Sequence, residues 1–190
     1  GYVPKLLAFG VTLWGLLLFK LMKKWTPSRR MIEAGSALIG FLLIFLAVSS
    51  LTKKTITARL QVAHTEIHDI ILSPLPANPF CWFFVSVESF NGNYISRTGI
   101  QAAYPALYSA KSCPRLRGET GTSTAPLAKS LEPDDESTVW LGDFKAPLEE
   151  FKMIATNCYA AAFLQFAPAP YWVMQAPTWI VGALRFDRDK

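Results

Sequence analysis

Two uncharged apolar segments lie within the first 51 residues and enclose the basic stretch Lys20-Leu-Met-Lys-Lys-Trp-Thr-Pro-Ser-Arg-Arg30. Leu6 to Phe19 carries no charge, and its apolar character continues through Leu21 and Met22. Ala34 to Leu51 is uncharged for 18 residues. A bilayer's hydrocarbon core takes about 20 mostly apolar helical residues, and both segments approach that length. Lys20 and Glu33 stand at segment ends, where long side chains reach the headgroups. A soluble helix keeps one polar face, and neither segment has one. A cleaved signal peptide accounts poorly for the first segment, because the second follows closely and no small-residue cleavage site is evident. The pattern predicts a transmembrane hairpin of two helices over residues 1–52, joined by a basic loop at 20–30.

Charge then divides the chain. Residues 1–59 carry nine Lys and Arg against the single acid Glu33, whereas residues 60–190 carry ten against thirteen acids. The net charge of +5 is therefore a membrane-flank signal that partners the lipid bilayer, and the net-acidic remainder argues against nucleic acid. The loop holds five basic residues (Lys20, Lys23, Lys24, Arg29, Arg30), and the opposite side holds four (Lys5, Lys53, Lys54, Arg59). By the positive-inside rule the loop is cytoplasmic and residues from about 60 onward are extracytoplasmic. Three cysteines without a CxxC exclude a disulfide scaffold and a zinc motif. At least two of them are expected as small buried hydrophobes, and if the domain faces an oxidising compartment one disulfide can form, with the third thiol free.

From Lys53 the apolar positions Ile56, Leu60, Ala63, Ile67 and Ile70 or Ile71 recur at steps of three and four. They predict an amphipathic juxtamembrane helix over residues 53–72, stopped near Ser73 by Pro74 and Pro76. A β-rich domain over residues 73–190 follows. Phe80 to Val87 reads as a buried strand, Asn91-Gly92-Asn93 as a hairpin turn, and Tyr94 to Gly99 as the returning strand. Ala110 to Glu132 reads as surface loop, Ser137 to Leu141 as a short strand and Leu148 to Asn157 as a helix. Tyr159 to Phe166 and Thr178 to Phe186 read as further strands, separated by the proline-rich Ala167–Trp172. The expected class is α+β: the two-helix hairpin, then a small mixed, mainly antiparallel β domain with one or two helices.

Motifs for chemistry are few. No phosphate loop, nucleophile elbow or H-E-x-x-H occurs. The two histidines, His64 and His68, would share one face of the expected helix at i, i+4, a spacing able to bind a divalent metal. The same pair also fits a plain polar helix face. The acidic run Glu132-Pro-Asp-Asp-Glu136 lacks the alternating spacing of a calcium loop and reads as a solvated turn. Asp143, Glu149 and Glu150 offer no pairing as general acid and base.

Pro74-Leu-Pro-Ala-Asn-Pro-Phe-Cys-Trp82 is the most distinctive segment. Its prolines fix an extended, rigid entry into a strand, Asn78 before Pro79 can organise a turn, and Trp82 suits an interface or core edge. It reads as a stiff connector between membrane helix and β domain, or more sharply as a substrate-facing wall. With two spans and a helix before it, this passage resembles the C-terminal half of the bacterial membrane-bound metal-dependent hydrolases, a family that includes inner-membrane proteins under DNA-damage control. That family has a P-x-P-x-N-P-x-x-W passage into a β domain, matched here by Pro74, Pro76, Asn78, Pro79 and Trp82. It ends near an Asp-Leu-Arg-aromatic strand, matched by Leu184, Arg185 and Phe186, with Ala183 in place of the Asp.

The resemblance implies an enzyme of the inner (cytoplasmic) membrane that uses a divalent metal on a lipid-linked or envelope substrate. The family's metal motifs, an Asp-rich segment and His-Arg-x-x-Thr-His-Ser, have no counterpart here. The chain is therefore expected to be the C-terminal part of a longer protein. Two alternatives stand beside this: a membrane-anchored envelope module that binds a partner protein or glycan, and a lipid-binding protein working through the basic loop and juxtamembrane helix.

Overall fold

A computed structural model of the chain describes residues 9–10, 12–16, 20, 26–61, 66–75, 78–114 and 125–184. Most of the first expected span and its loop lie outside the described residues, although positions 9–10 and 12–16 are helical. Helix α1 (Pro27–Gln61) is the one described helix long and apolar enough to cross a membrane. Proline at the first helical position costs no hydrogen bond, because that N–H has no partner in any helix. The Thr26 carbonyl accepts from Arg30 N–H to close the first turn. Apart from Phe45, the large apolar side chains from Met31 to Leu46 are at least half exposed, with Leu38, Phe41 and Ile44 facing outward.

Thirty-five residues give α1 a length of about 52 Å, well beyond the roughly 30 Å of a hydrocarbon core. The excess packs on protein. Phe45, Val48 and Ser49 are half-buried, and Thr52, Ile56 and Leu60 are buried. These steps of three and four keep one stripe of the helix against its partner. The buried Thr52 hydroxyl donates to the Val48 carbonyl, so it brings no unsatisfied donor into the seam.

That partner is a four-stranded antiparallel meander in the order β1 (Glu66–Leu75), β2 (Asn78–Phe90), β3 (Asn93–Ala102), β4 (Thr138–Pro147). The Asn91-Gly92 turn has φ of 48° and 72°, the left-handed pair of a two-residue hairpin whose twist suits the strands. It fixes the β2–β3 register, with Phe90 opposite Asn93. On the α1 face, Ile56 and Leu60 meet Ile70, Phe84 and Trp140. Gly99 lets the Phe84 ring lie over β3, since a Cβ there would stand 2.6 Å from the ring.

The opposite face is covered by α2 (Leu148–Ala155), α3 (Cys158–Leu164) and the hairpin β5 (Pro170–Gln175)–β6 (Thr178–Ala183). Tyr94, Phe144, Phe151 and Trp172 interlock there, the Trp172 ring centroid lying 5.0 to 5.7 Å from the other three. Cys81 and Cys113 form a disulfide beside Leu75 and Ile100, and Cys158 is free and exposed.

The α+β class and the β2–turn–β3 and α2 expectations agree with this architecture, and four expectations need correction. The juxtamembrane helix ends at Gln61, and Ile67, His68, Ile70 and Ile71 lie in β1. The register shift between Ile67 and Asp69 brings Ile67 and Ile70, three residues apart, into one cluster with Ile56 and Leu60. A bulged strand thereby imitates helical spacing. The sheet starts at Glu66 and not at 73. Tyr159 to Phe166 is mostly α3 and not a strand; Asn157 caps it by accepting from Tyr159 and Ala160 N–H, and Ala160-Ala161-Ala162 favours helix. The expected separator Ala167–Trp172 contributes Pro170 to Trp172 to β5, with proline at the strand's first residue, where no N–H is required.

Candidate functional site

The residues singled out in the sequence fall into two places. Pro74, Asn78, Pro79 and Trp82 form the tip of the β1–β2 hairpin, with Pro74 opposite Trp82 and Leu75 opposite Asn78. This corrects the expectation of a connector from membrane helix to β domain: the passage turns one strand into the next. Proline is tolerated because β1 is an edge strand. The Asn78 Oδ1 accepts from Phe80 N–H at 3.0 Å, and the Trp82 indole N–H donates to the Pro79 carbonyl at 3.0 Å. The Trp82 ring packs on Phe45 of α1, centroids 5.1 Å apart. Leu184 is buried and donates its N–H to the Ala169 carbonyl. Pro76, Arg185 and Phe186 lie outside the described residues.

His64 also lies outside them, and His68 is on β1, its Nε2 2.9 Å from Ser89 Oγ. The helical i, i+4 pair therefore does not form, since β1 carries His68. Asp69 is engaged by Lys53 at 3.2 Å. Among the described residues no three His, Cys, Asp or Glu side chains come together as a metal site. The acidic run is occupied in building the start of β4. Asp134 Oδ1 accepts from Trp140 N–H, Asp135 Oδ1 accepts from Ser137 and Thr138 N–H, and Glu136 pairs with Lys111.

Two polar constellations on the α1 face were not legible as sites. In the first, the Arg59 guanidinium clamps α1 to the domain. It donates to Asp135, to Ser137 Oγ at 2.9 Å and to Thr138 Oγ1 at 2.5 Å. Thr138 Oγ1 in turn donates to the buried Gln101 Oε1 at 2.7 Å. The Arg59 hydrogen bond holds the Asp135 carboxyl well below the usual carboxylate range.

The second gathers three carboxylates around Arg97. Glu88 is fully buried, accepts from Ser86 Oγ at 2.6 Å and lies 3.6 Å from Arg97 Nε. Arg97 also reaches Glu132 at 3.4 Å, and Asp143 stands opposite it on β4. Burial pushes the Asp143 carboxyl up; a hydrogen bond from Ser130 and the Arg97 charge lower it, and Glu88 and Glu132 raise it further. Among the described residues one guanidinium faces these three carboxylates, and Asp143 holds its proton more tightly than an exposed aspartate does. Glu88 was the available signal, a lone acid ending the run Phe80 to Val87.

An apolar groove lies on the other side of the domain. Met153, Tyr159, Ala160 and Phe163 of the two short helices face Trp179 and Val181 of β6 across a cavity of about 650 Å³. Tyr159 is 84% exposed at its rim. No family model, curated protein or solved structure matches the chain.

Proposed function

We propose that this chain forms the anchor and extracytoplasmic accessory domain of a membrane-bound metal-dependent hydrolase that acts on a lipid-linked or envelope substrate. In this reading it spans the bacterial inner membrane twice, with the basic loop in the cytoplasm. The supporting observation is that Pro74, Asn78, Pro79 and Trp82, four residues of the resemblance, form one hairpin tip packed on Phe45 of the apolar helix. A domain fixed to its helix in this way sits where the head of a lipid-linked substrate would be. The Cys81–Cys113 disulfide supports an oxidising compartment for the domain. The part played by this portion is to hold and orient substrate at the bilayer, and no chemical step is assigned to its residues.

The test uses the intact protein in lipid vesicles, with phosphate release from a lipid-linked phosphate as readout. Release that stops with chelator and returns with added zinc or manganese supports the reading; no release from any metal-loaded sample removes it. Orientation is tested separately on Cys158, the exposed free thiol. A membrane-impermeant maleimide should label it in spheroplasts without lysis, and labelling only after lysis would reverse the topology.

The apolar groove between α2, α3 and β6 favours a second reading, a non-catalytic envelope module that binds a partner protein or glycan. A photocrosslinker at Tyr159 that captures one defined partner at 1:1 stoichiometry, in a protein without phosphate release, would favour it.

A further inference from the structure

We propose that the β1–β2 hairpin tip, together with the turn after β3, is a second membrane contact that seats in the interfacial layer of the bilayer crossed by α1. The proposal rests on reading α1 as a span and adds a lipid-facing surface on the folded domain.

Three observations carry it. The first is depth. Glu33 and Lys53 bracket 19 uncharged residues of α1, about 28 Å of helix and one hydrocarbon thickness. Sliding the span by more than about a turn carries a charge into hydrocarbon. Phe45 lies eight residues, or about 12 Å, on the membrane side of Lys53. The Trp82 ring rests on Phe45, so the hairpin tip extends below the level of the Lys53 and Lys54 backbone, toward the lipid.

The second is chemistry. The tip lies in a stretch without charge, from Ile70 to Val87, and the neighbouring turn lies in another, from Thr98 to Ala110. The two meet where Phe80 packs edge-on against Tyr104, centroids 6.5 Å apart, and where the Ala103 N–H donates to the Phe80 carbonyl. Leu107 in that turn is 75% exposed and Tyr104 is 46% exposed. Trp82 is buried behind this corner, and the side chains it leaves at the surface, Tyr104, Leu107, Pro74 and Pro79, have the uncharged composition of an interfacial belt, in which tyrosine combines an apolar ring with one polar atom.

The third is the contrast along the sheet. Glu66, Glu88, Lys145, Glu149 and Glu150 gather toward the Asn91-Gly92 end of the strands, in register with one another or next to β4's end. The other end of the sheet is charged on its β4 side as well, since Thr138 pairs with Gln101 beside Trp82 and follows Asp134, Asp135 and Glu136, with Lys111 on Glu136. The surface without charge is therefore the corner beside Phe45, where Phe80 and Tyr104 meet, and not that whole end.

Spin labels read this directly. In the Cys158→Ser background, with the Cys81–Cys113 disulfide intact, single cysteines replace Leu107, Leu42 and Leu131, and the intact chain is placed in phosphatidylethanolamine–phosphatidylglycerol vesicles. Power saturation compares collision with apolar oxygen and with a water-soluble nickel chelate. The Leu107 label should favour oxygen several-fold, between Leu42 in the apolar helix and Leu131, which is 98% exposed in the loop tied to Arg59. A Leu107 label as open to nickel as Leu131, with Leu42 lipid-like, overturns the proposal and leaves the span reading standing. A Leu107 label shielded from both reagents also overturns it, by showing a protein cover such as the first apolar segment or a second copy. A nickel-accessible Leu42 label removes the span reading itself.

Discussion

The sheet has one face closed by interlocking rings and one closed partly by charge. Toward α2, α3 and the β5–β6 hairpin, Tyr94, Phe144, Phe151 and Trp172 pack ring against ring, and Trp172 uses its indole N–H on Glu150 at 2.9 Å. Toward α1, an apolar patch of Ile56, Leu60, Phe84 and Trp140 adjoins the Arg59 clamp and the Arg97 cluster. Ring packing gains free energy in proportion to buried area and is indifferent to pH. Buried charge is different: it stabilises only while its partners are present, and it costs several kcal/mol once one is removed. The aromatic face therefore sets stability, and the charged face sets how the long apolar helix α1 is held and how the domain answers to protons.

The largest effect should come from the aromatic face. Trp172 is 3% exposed and touches three rings, so Trp172→Ala should cost about 4 kcal/mol, through lost burial and the cavity left behind. Chemical unfolding of the protein in lipid nanodiscs would measure it. A loss under about 1 kcal/mol would mean that the face is not closed as described. Next is Arg97→Met, which removes the Arg97 charge from beside the buried Glu88 and should cost about 3 kcal/mol. Adding Glu88→Gln should recover most of that loss. Failure to recover would show that Arg97 acts through packing and not through charge.

The Arg59 clamp is a smaller quantity. Asp135 is 46% exposed, and solvent screening limits Arg59→Ala to about 1 kcal/mol. Faster hydrogen exchange at Gln101 and Thr138, with the aromatic face unchanged, would mark it as a local lock on the helix. The smallest effect belongs to Asp143. Its folded pKa is raised, so the folded protein binds that proton more tightly than the unfolded chain does. Stability should accordingly fall as pH rises from the ordinary carboxylate range, near pH 4, through the raised value. Asp143→Asn should flatten that fall and gain less than about 1 kcal/mol at neutral pH. An unchanged pH profile would place the titrating group elsewhere.

Much of this was legible in particular residues. Asn91-Gly92 announced its hairpin because few dipeptides tolerate two consecutive left-handed residues. Once that turn fixes the register, Ser86 must face Arg97, and Glu88 lies diagonally across from it. The first half of the charge cluster was thus recoverable from the sequence. Its second half was not, because Asp143 and Glu132 arrive from β4 and its preceding loop at long range. His68 shows the opposite case: a bulge in β1 gives apolar steps of three that mimic a helix, and the expected i, i+4 pairing with His64 depends on that helix.

By itself the sequence determined that one segment is too apolar and too free of charge for an ordinary surface helix, and that an α+β domain follows it. Both are local properties, since hydrophobic length and turn chemistry act within a few residues. Only the tertiary structure decided that α1 continues past its apolar stretch onto the sheet, that the proline-rich passage turns back as a hairpin tip against Phe45, and that Cys81 joins Cys113. Each of these depends on which distant surfaces meet, and a contact between residues tens of positions apart leaves no periodic trace in the chain.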